Sequence, residues 1–541
     1  MTPLETLRLY PSHDGTLCGS VASRVSVKPD APFLLESNRA LTWREFMHAT
    51  ERAAGALAAL GVQAGDRVAS VSANRIEVVV LFFAAARLGA WFVPVNPDLK
   101  IEEMRYILEH AGVRGVACSR DALASARAAT ESITPRPWML LLEDEAAEGV
   151  ETFAAHLARA TPITGNRAHA DDTCLVLYTS GTTGFPKGVM HRQRSVVMAG
   201  EGFVERLHLQ PDDRLLAILP LFHINALFYS LAGTLAAGAS LALMPRFSAS
   251  RFWHTAAELG ATEVNIIAAV GNILARRPRS EFVPHSIRKV YGAPVSAEIE
   301  RVFREEFGVP VILEGYGMTE IPGVCNNPFP GSGHGENRIG SMGRAARHPD
   351  PSVAFAEMRV IDDEGSPLPD GETGELAVKT PIIMQGYYRD PEATAAAFRD
   401  GWFLTGDLVR RDADGYFWFV ARKKDIIRRR GENISGAELD RIIGAHPDVA
   451  EAAAIAVPAE LGEDEILVAI VPKAGAKLEP QNIADWCSAR LAAHKQPRYI
   501  VFVESLPHTP TLRVAKFKLK GDATLVARAI DLASTRSSSP G

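Results

Sequence analysis

Leu175-Val-Leu-Tyr178-Thr-Ser-Gly-Thr-Thr-Gly184-Phe-Pro-Lys187-Gly188 decides how this chain is read. A short apolar run empties into hydroxyls and glycines, and one lysine closes the loop. Glycines let backbone N–H groups turn inward as an anion nest, while hydroxyls and an ammonium add donors. The stretch predicts a phosphate cradle. It is not the common P-loop, which needs Gly-x-x-x-x-Gly-Lys followed by Ser or Thr. Here Gly188 follows Lys187, and the glycines stand at 181 and 184. A plain polar turn is the bland alternative, but Thr179, Thr182, Thr183 and a Pro-Lys-Gly ending so close together argue against it.

The bulk properties narrow the field. A chain of 541 residues exceeds one hydrophobic core, so two or more domains are expected. Apolar content of 47% and charged content of 23% are those of an ordinary globular protein. A net charge of −6 argues against nucleic acid as a partner, which would call for a basic face. The cysteines, at 18, 118, 174, 325 and 487, are scattered and lack Cys-x-x-Cys spacing. Reduced thiols are expected, without a disulfide frame or zinc knuckle. Met1–Gly15 has no apolar run for a signal peptide, and no stretch of about 20 apolar residues predicts a membrane span. A cytoplasmic location, without stable membrane insertion, is the expectation.

Patterning along the chain predicts an α/β architecture followed by an α+β one. Leu41–Phe46 opens a helix toward Leu60, Asp66–Ser70 reads as a strand, an apolar helix runs to Leu88, and Trp91–Val95 is a second strand. That βαβ rhythm implies helix-covered, largely parallel sheets. Strands recur at Leu215–Leu219, Val264–Ala268, Arg288–Tyr291 and Val311–Leu313. Residues 355–420 change to short strands with many turns, predicting a small β-barrel-like subdomain. Residues 1–421 therefore read as one large domain, 422–425 as a hinge and 426–525 as a small α+β domain, with 526–541 a disordered tail. Ser435-Gly-Ala-Glu438 predicts a capping box at the start of a helix.

The glycine- and threonine-rich loop resembles the signature segment of the adenylate-forming superfamily, which contains acyl-CoA synthetases, peptide-synthetase adenylation domains and luciferases. The resemblance recurs in order from about residue 35 to about residue 520. It implies ATP, Mg²⁺ and coenzyme A as ligands and a small-molecule carboxylic acid as substrate. Thr179, Ser180, Gly181, Thr182, Thr183, Gly184 and Lys187 would cradle the phosphates. Tyr316-Gly-Met-Thr-Glu320 resembles a further core motif: Tyr316 and Gly317 by adenine, Thr319 on the α-phosphate, Glu320 with Thr179 on Mg²⁺. Gly292-Ala293-Pro294 resembles the loop at the adenine edge. Asp407 and Arg422 match the ribose contacts. Lys424 falls at the hinge, and Gly431 and Glu432 flank the pantetheine arm. Pro220-Leu-Phe-His223 resembles a tunnel-gating motif, and Asn225, Asn265, Met318 and Cys325 fall in or beside segments expected to line the acyl pocket.

One segment departs from the pattern. Leu506–Val514 aligns where the family reads Thr-Gly-Lys, yet Leu512 and Arg513 stand at the last two positions. Arginine keeps the charge but is a planar fork rather than a compact donor. Either Arg513 bridges carboxylate and α-phosphate, or Lys516 or Lys518 reaches in, or adenylation is slow. The expected activity is an AMP-forming acid–CoA ligase for a short or polar acid, most like crotonobetaine/carnitine-type ligases. The alternatives are transfer to a carrier protein in trans and a catalytically weak acyl-nucleotide-binding homologue.

Overall fold

The computed structural model describes residues 1–147, 149–179, 186–429, 432–458, 464–508, 514–522 and 524–532, with backbone alone at 432 and 433. The chain forms two compact units: Met1–Met358 with Val378–Trp402, and Arg359–Ala377 with Phe403–Gly541.

Two large sheets build the first unit. In the seven-stranded sheet the order is Gly386–Tyr387, Lys187–Arg192, Thr173–Thr179, Trp91–Val95, Arg67–Val71, Gly115–Cys118, Trp138–Leu141. The five from Thr173–Thr179 onward run parallel, and the first two are added antiparallel. Helix Ile76–Arg87 is buried at every residue except Glu77, so its apolar run marks an enclosed helix rather than an amphipathic one. Helix Trp43–Ala59 starts where Thr42 and Glu45 close a reciprocal capping box, at the position the sequence predicts.

The nine-stranded sheet carries the expected strands as Arg214–Ala217, Glu263–Ile267, Lys289–Ala293 and Val311–Met318. The last differs from expectation. A strand ending at Leu313 is predicted, with the Tyr316 motif in the turn beyond. Instead the strand continues to Met318 and pairs antiparallel with Ile321–Asn326, Tyr316 opposite Cys325. Glycine makes this possible: a side chain on Gly317 would collide with the backbone of Gly323, which itself has φ +63°.

In the second unit the β-rich stretch centres on Thr373–Lys379 beside Trp402–Arg411, which pairs antiparallel with Phe417–Arg422. The expected run over 355–420 is interrupted, because Gly386–Tyr387 joins the seven-stranded sheet and Pro391–Ala396 is helical, capped by Asp390. After the hairpin Ile426–Arg429/Glu432–Ser435, a four-stranded sheet orders Val449–Pro458, Asp464–Pro472, Tyr499–Phe502 and Ile530–Asp531. That last strand corrects the expectation of a disordered tail from 526, since its backbone completes an edge pair. Ser435 caps helix Gly436–Gly444 as predicted. The box is not reciprocal, because Glu438 is drawn to Lys495 at 2.8 Å. All five cysteines are free and buried. Among the described residues no helix is long and apolar enough to cross a membrane.

Candidate active site

The predicted cradle hangs from a hairpin. Thr179 pairs across it with Lys187, and Tyr178 with Gly188, so the ladder fixes both ends of the loop. Ser180, Gly181, Thr182, Thr183 and Gly184 lie outside the described residues. Lys187 Nζ stands 3.8 Å from Asp390 Oδ2 and 4.9 Å from the centroid of the Tyr387 ring. The Tyr387 hydroxyl donates to Glu320 Oε1 at 2.8 Å. Backbone bonds hold this segment in place: Tyr388 N–H to the Gly188 carbonyl at 2.7 Å, and Met384 N–H to that of Glu320 at 2.8 Å. Residues 384–390 therefore fasten the predicted lysine and the predicted glutamate to one strap.

Burial, and then the Glu320 charge, push the Tyr387 phenol far above its ordinary value. It stays a donor and leaves Glu320 as the charged partner. Glu320 itself is 7% exposed. Its carboxylate suits a hard cation, and the described residues contain no cluster of three or more His, Cys, Asp or Glu that would cage a metal. One protein carboxylate fits Mg²⁺, which keeps waters and shares phosphate oxygens.

Thr319 is positioned from below. Buried His191 places Nε2 2.7 Å from the Thr319 carbonyl. A carbonyl only accepts, so Nε2 carries the proton. Burial drives the imidazole down to about 4, so it is neutral at physiological pH and acts as a prop rather than a proton shuttle. The Tyr316 hydroxyl reaches Met318 Sδ at 3.9 Å. Gly292 and Ala293 end a strand lying between Glu263–Ile267 and Val311–Met318, with Pro294 next in the chain.

Half-buried His223 meets Phe222 edge to face at 4.7 Å. Asn225 opens a π-helical turn, Asn225–Leu231, a widened geometry that recurs at functional sites. Asn265 donates to Ser230 Oγ at 2.8 Å. The Oδ1 atoms of Asn225 and Asn265 are both buried without a hydrogen-bond partner among the described residues. The fully buried Cys325 thiol donates to the Met342 carbonyl at 3.3 Å.

Other predicted residues sit in the second unit. Asp407 and Arg422 face each other across antiparallel strands, Nε to Oδ1 at 3.3 Å, with the aspartate 3% exposed. Burial, and then Arg422, hold the Lys424 ammonium below its ordinary value. Lys516 is paired with Asp440 at 2.5 Å, and burial raises that carboxyl against the pull of the lysine. Gly431, Arg513 and the Glu432 side chain lie outside the described residues.

Sequence reasoning missed Tyr387, Asp390 and His191. Asp390-Pro391 is a recognisable helix start. The other two left no readable signal, because their bonds join residues 67 and 128 apart in sequence.

The AMP-binding enzyme family matches residues 21–388, and the AMP-binding enzyme C-terminal domain matches 438–512. Sulfoacetate–CoA ligase of Cupriavidus necator is 35% identical, covering 95% of this chain and 99% of its own. Crotonobetaine/carnitine–CoA ligase of Salmonella choleraesuis is 32% identical over 88% of this chain and 93% of its own. The crystal structure of the anthranilate CoA ligase AuaEII with anthranoyl-AMP aligns with a TM-score of 0.85 at 28% identity, covering 96% and 98% of the two chains. The chain thus belongs to the acyl-CoA synthetase branch of the adenylate-forming superfamily, as an AMP-forming acid–thiol ligase whose substrates include ATP and coenzyme A.

Proposed function

We propose that this ligase activates a short or polar carboxylic acid. The carrying observation is the filling of space behind the Tyr316 motif. A side chain on Gly317 would come within 2.6 Å of the Tyr229 hydroxyl, and one on Gly315 would meet the Tyr291 hydroxyl. Two bulky phenols thus stand where a long acyl chain would need room. Buried amide oxygens at Asn225 and Asn265 add polar lining that an alkyl chain would leave unsatisfied. Similarity to a ligase for sulfoacetate, a two-carbon acid, supports the same reading.

In this proposal an acid carboxylate oxygen attacks the α-phosphorus and pyrophosphate leaves. The coenzyme A thiolate then attacks the acyl carbon and AMP leaves. Thr179, Lys187 and Thr319 hold phosphate oxygens, Glu320 holds Mg²⁺, which offsets phosphate charge when bound, and Tyr387 fixes the Glu320 rotamer. Tyr316, Gly317 and Gly292–Pro294 take adenine, Asp407 with Arg422 takes ribose, and Gly431 with Glu432 takes the pantetheine arm. Lys424 is assigned to the hinge. With Lys516 committed to Asp440, Arg513 is the proposed bridging cation.

Pyrophosphate release across an acid panel tests this. Two- to four-carbon polar acids are expected to exceed C12–C16 acids by roughly a hundredfold or more in kcat/KM. A preference for the long chains overturns it. Thioester formation from free coenzyme A, with no carrier protein present, is the accompanying expectation.

A further inference from the structure

Arg206, the second-last residue of helix Gln193–Leu207, is 2% exposed. Its Nη2 donates to the Gly323 carbonyl at 2.5 Å. Among the described residues Nε and Nη1 are buried with no well-directed hydrogen-bond partner, the Tyr291 hydroxyl lies within reach of the guanidinium, and no carboxylate pairs with it. Three aromatic rings surround it instead: Phe203 at 5.4 Å, Tyr229 at 5.3 Å and Tyr291 at 5.2 Å from ring centroid to guanidinium carbon. Ring faces and one carbonyl stabilise a cation only partly. A buried charge without a counter-ion is costly.

The position is specific. Gly323 faces Gly317 across the turn after the Tyr316 motif, and the Tyr229 hydroxyl touches the same Gly317. The guanidinium therefore lies behind the strand that carries the predicted adenylation residues, beside the phenols that wall off the acid.

We propose that Arg206 is the specificity residue for a second anionic group on the acid, so that the substrate is a short acid bearing a sulfonate or a second carboxylate at its far end. The Nε and Nη1 groups each supply single N–H donors to an oxyanion, Nη2 being already engaged by the Gly323 carbonyl. The buried Tyr229 and Tyr291 rings stand beside the same guanidinium. This rests on the short-acid reading above and narrows it.

The test measures pyrophosphate release by the full-length enzyme with sulfoacetate, malonate, propionate and dodecanoate. Wild type is expected to favour sulfoacetate or malonate over propionate by about a hundredfold, and the better of the two identifies the anion. Arg206→Met is expected to lose about a hundredfold or more on the anionic-tailed acids while propionate changes by less than about threefold. Arg206→Lys recovers part of the loss, with a higher KM rather than a lower kcat. A wild-type preference for propionate overturns this inference but not the short-acid reading, and needs no variant to be folded. A preference for dodecanoate overturns both. Equal losses by Arg206→Met on propionate and sulfoacetate also overturn it, by making Arg206 merely structural.

Discussion

Two buried cations in the first unit are treated in opposite ways. Lys289 lies at the start of its strand, 6% exposed, with Asp213 Oδ2 at 2.7 Å and the His208 carbonyl at 2.9 Å. Asp213 in turn accepts from Thr262, the Gln210 N–H and Arg288. Burial raises the aspartate, but Lys289 and these donors outweigh it and hold the carboxyl below its ordinary value. Arg206 is buried as deeply and has one carbonyl, three rings and no carboxylate among the described residues. The first cluster is complete in itself and needs no ligand. The second is complete only with an added anion. Burial alone does not mark a functional charge; what surrounds the charge has to be read with it.

Four measurements bear on that contrast. The largest effect is expected at the paired cluster: Asp213→Ala strands Lys289 in the interior and lowers unfolding stability by about 3–5 kcal/mol in urea. A loss below about 1 kcal/mol would erase the contrast. Glu320 is a third buried charge, held by Tyr387, and Tyr387→Phe removes a hydrogen bond to a charged group worth about 1.5–3 kcal/mol. A fall of roughly ten- to hundredfold in kcat/KM for adenylation is expected, with a higher Mg²⁺ requirement. Unchanged kinetics would detach the strap from the site. At Arg206 the stability effect is small: Arg206→Met is expected to unfold within about 1 kcal/mol of wild type or later, because it removes an uncompensated charge. Marked destabilisation would show that the guanidinium is already satisfied.

The smallest effect is a slope. Glu263 is fully buried, neither carboxylate oxygen has a hydrogen-bond partner among the described residues, and burial, then Asp213, push it well above its ordinary 4.5. A carboxyl with a raised folded value binds its proton more tightly folded than unfolded, so stability falls as pH rises above about 4.5, until the folded value is passed. Glu263→Gln is expected to remove that dependence. Its gain over wild type should be nil near pH 4 and grow toward pH 7, read from urea unfolding at several pH values. A parallel pair of pH curves would show that Glu263 is ionised in the folded state.

Much of the fold and part of the site were legible in residue order. The Thr42–Glu45 box, the Ser435 cap and the strands flanking the glycine-rich loop are local patterns, each settled within a few residues. Lys187 is singled out by its local motif and Glu320 through the resemblance of its motif to the family's; both are expectations about the site. The run of Tyr316-Gly-Met318 as strand could not be read, because it depends on how closely Gly323 approaches Gly317.

What the chain order determined, then, is a set of short-range commitments: where helices begin, where hairpins close, and which residue types stand ready for phosphate. Tertiary structure alone decided which charges were answered. His191 meets Thr319, Tyr387 meets Glu320 and Lys289 meets Asp213 over separations of 128, 67 and 76 residues. Arg206 meets the Gly323 carbonyl, 117 residues on, but no carboxylate among the described residues. An arginine on a helix reads the same whether it faces water or three aromatic rings. Only packing removes the water, and the loss of water turns an ordinary side chain into one that selects its ligand.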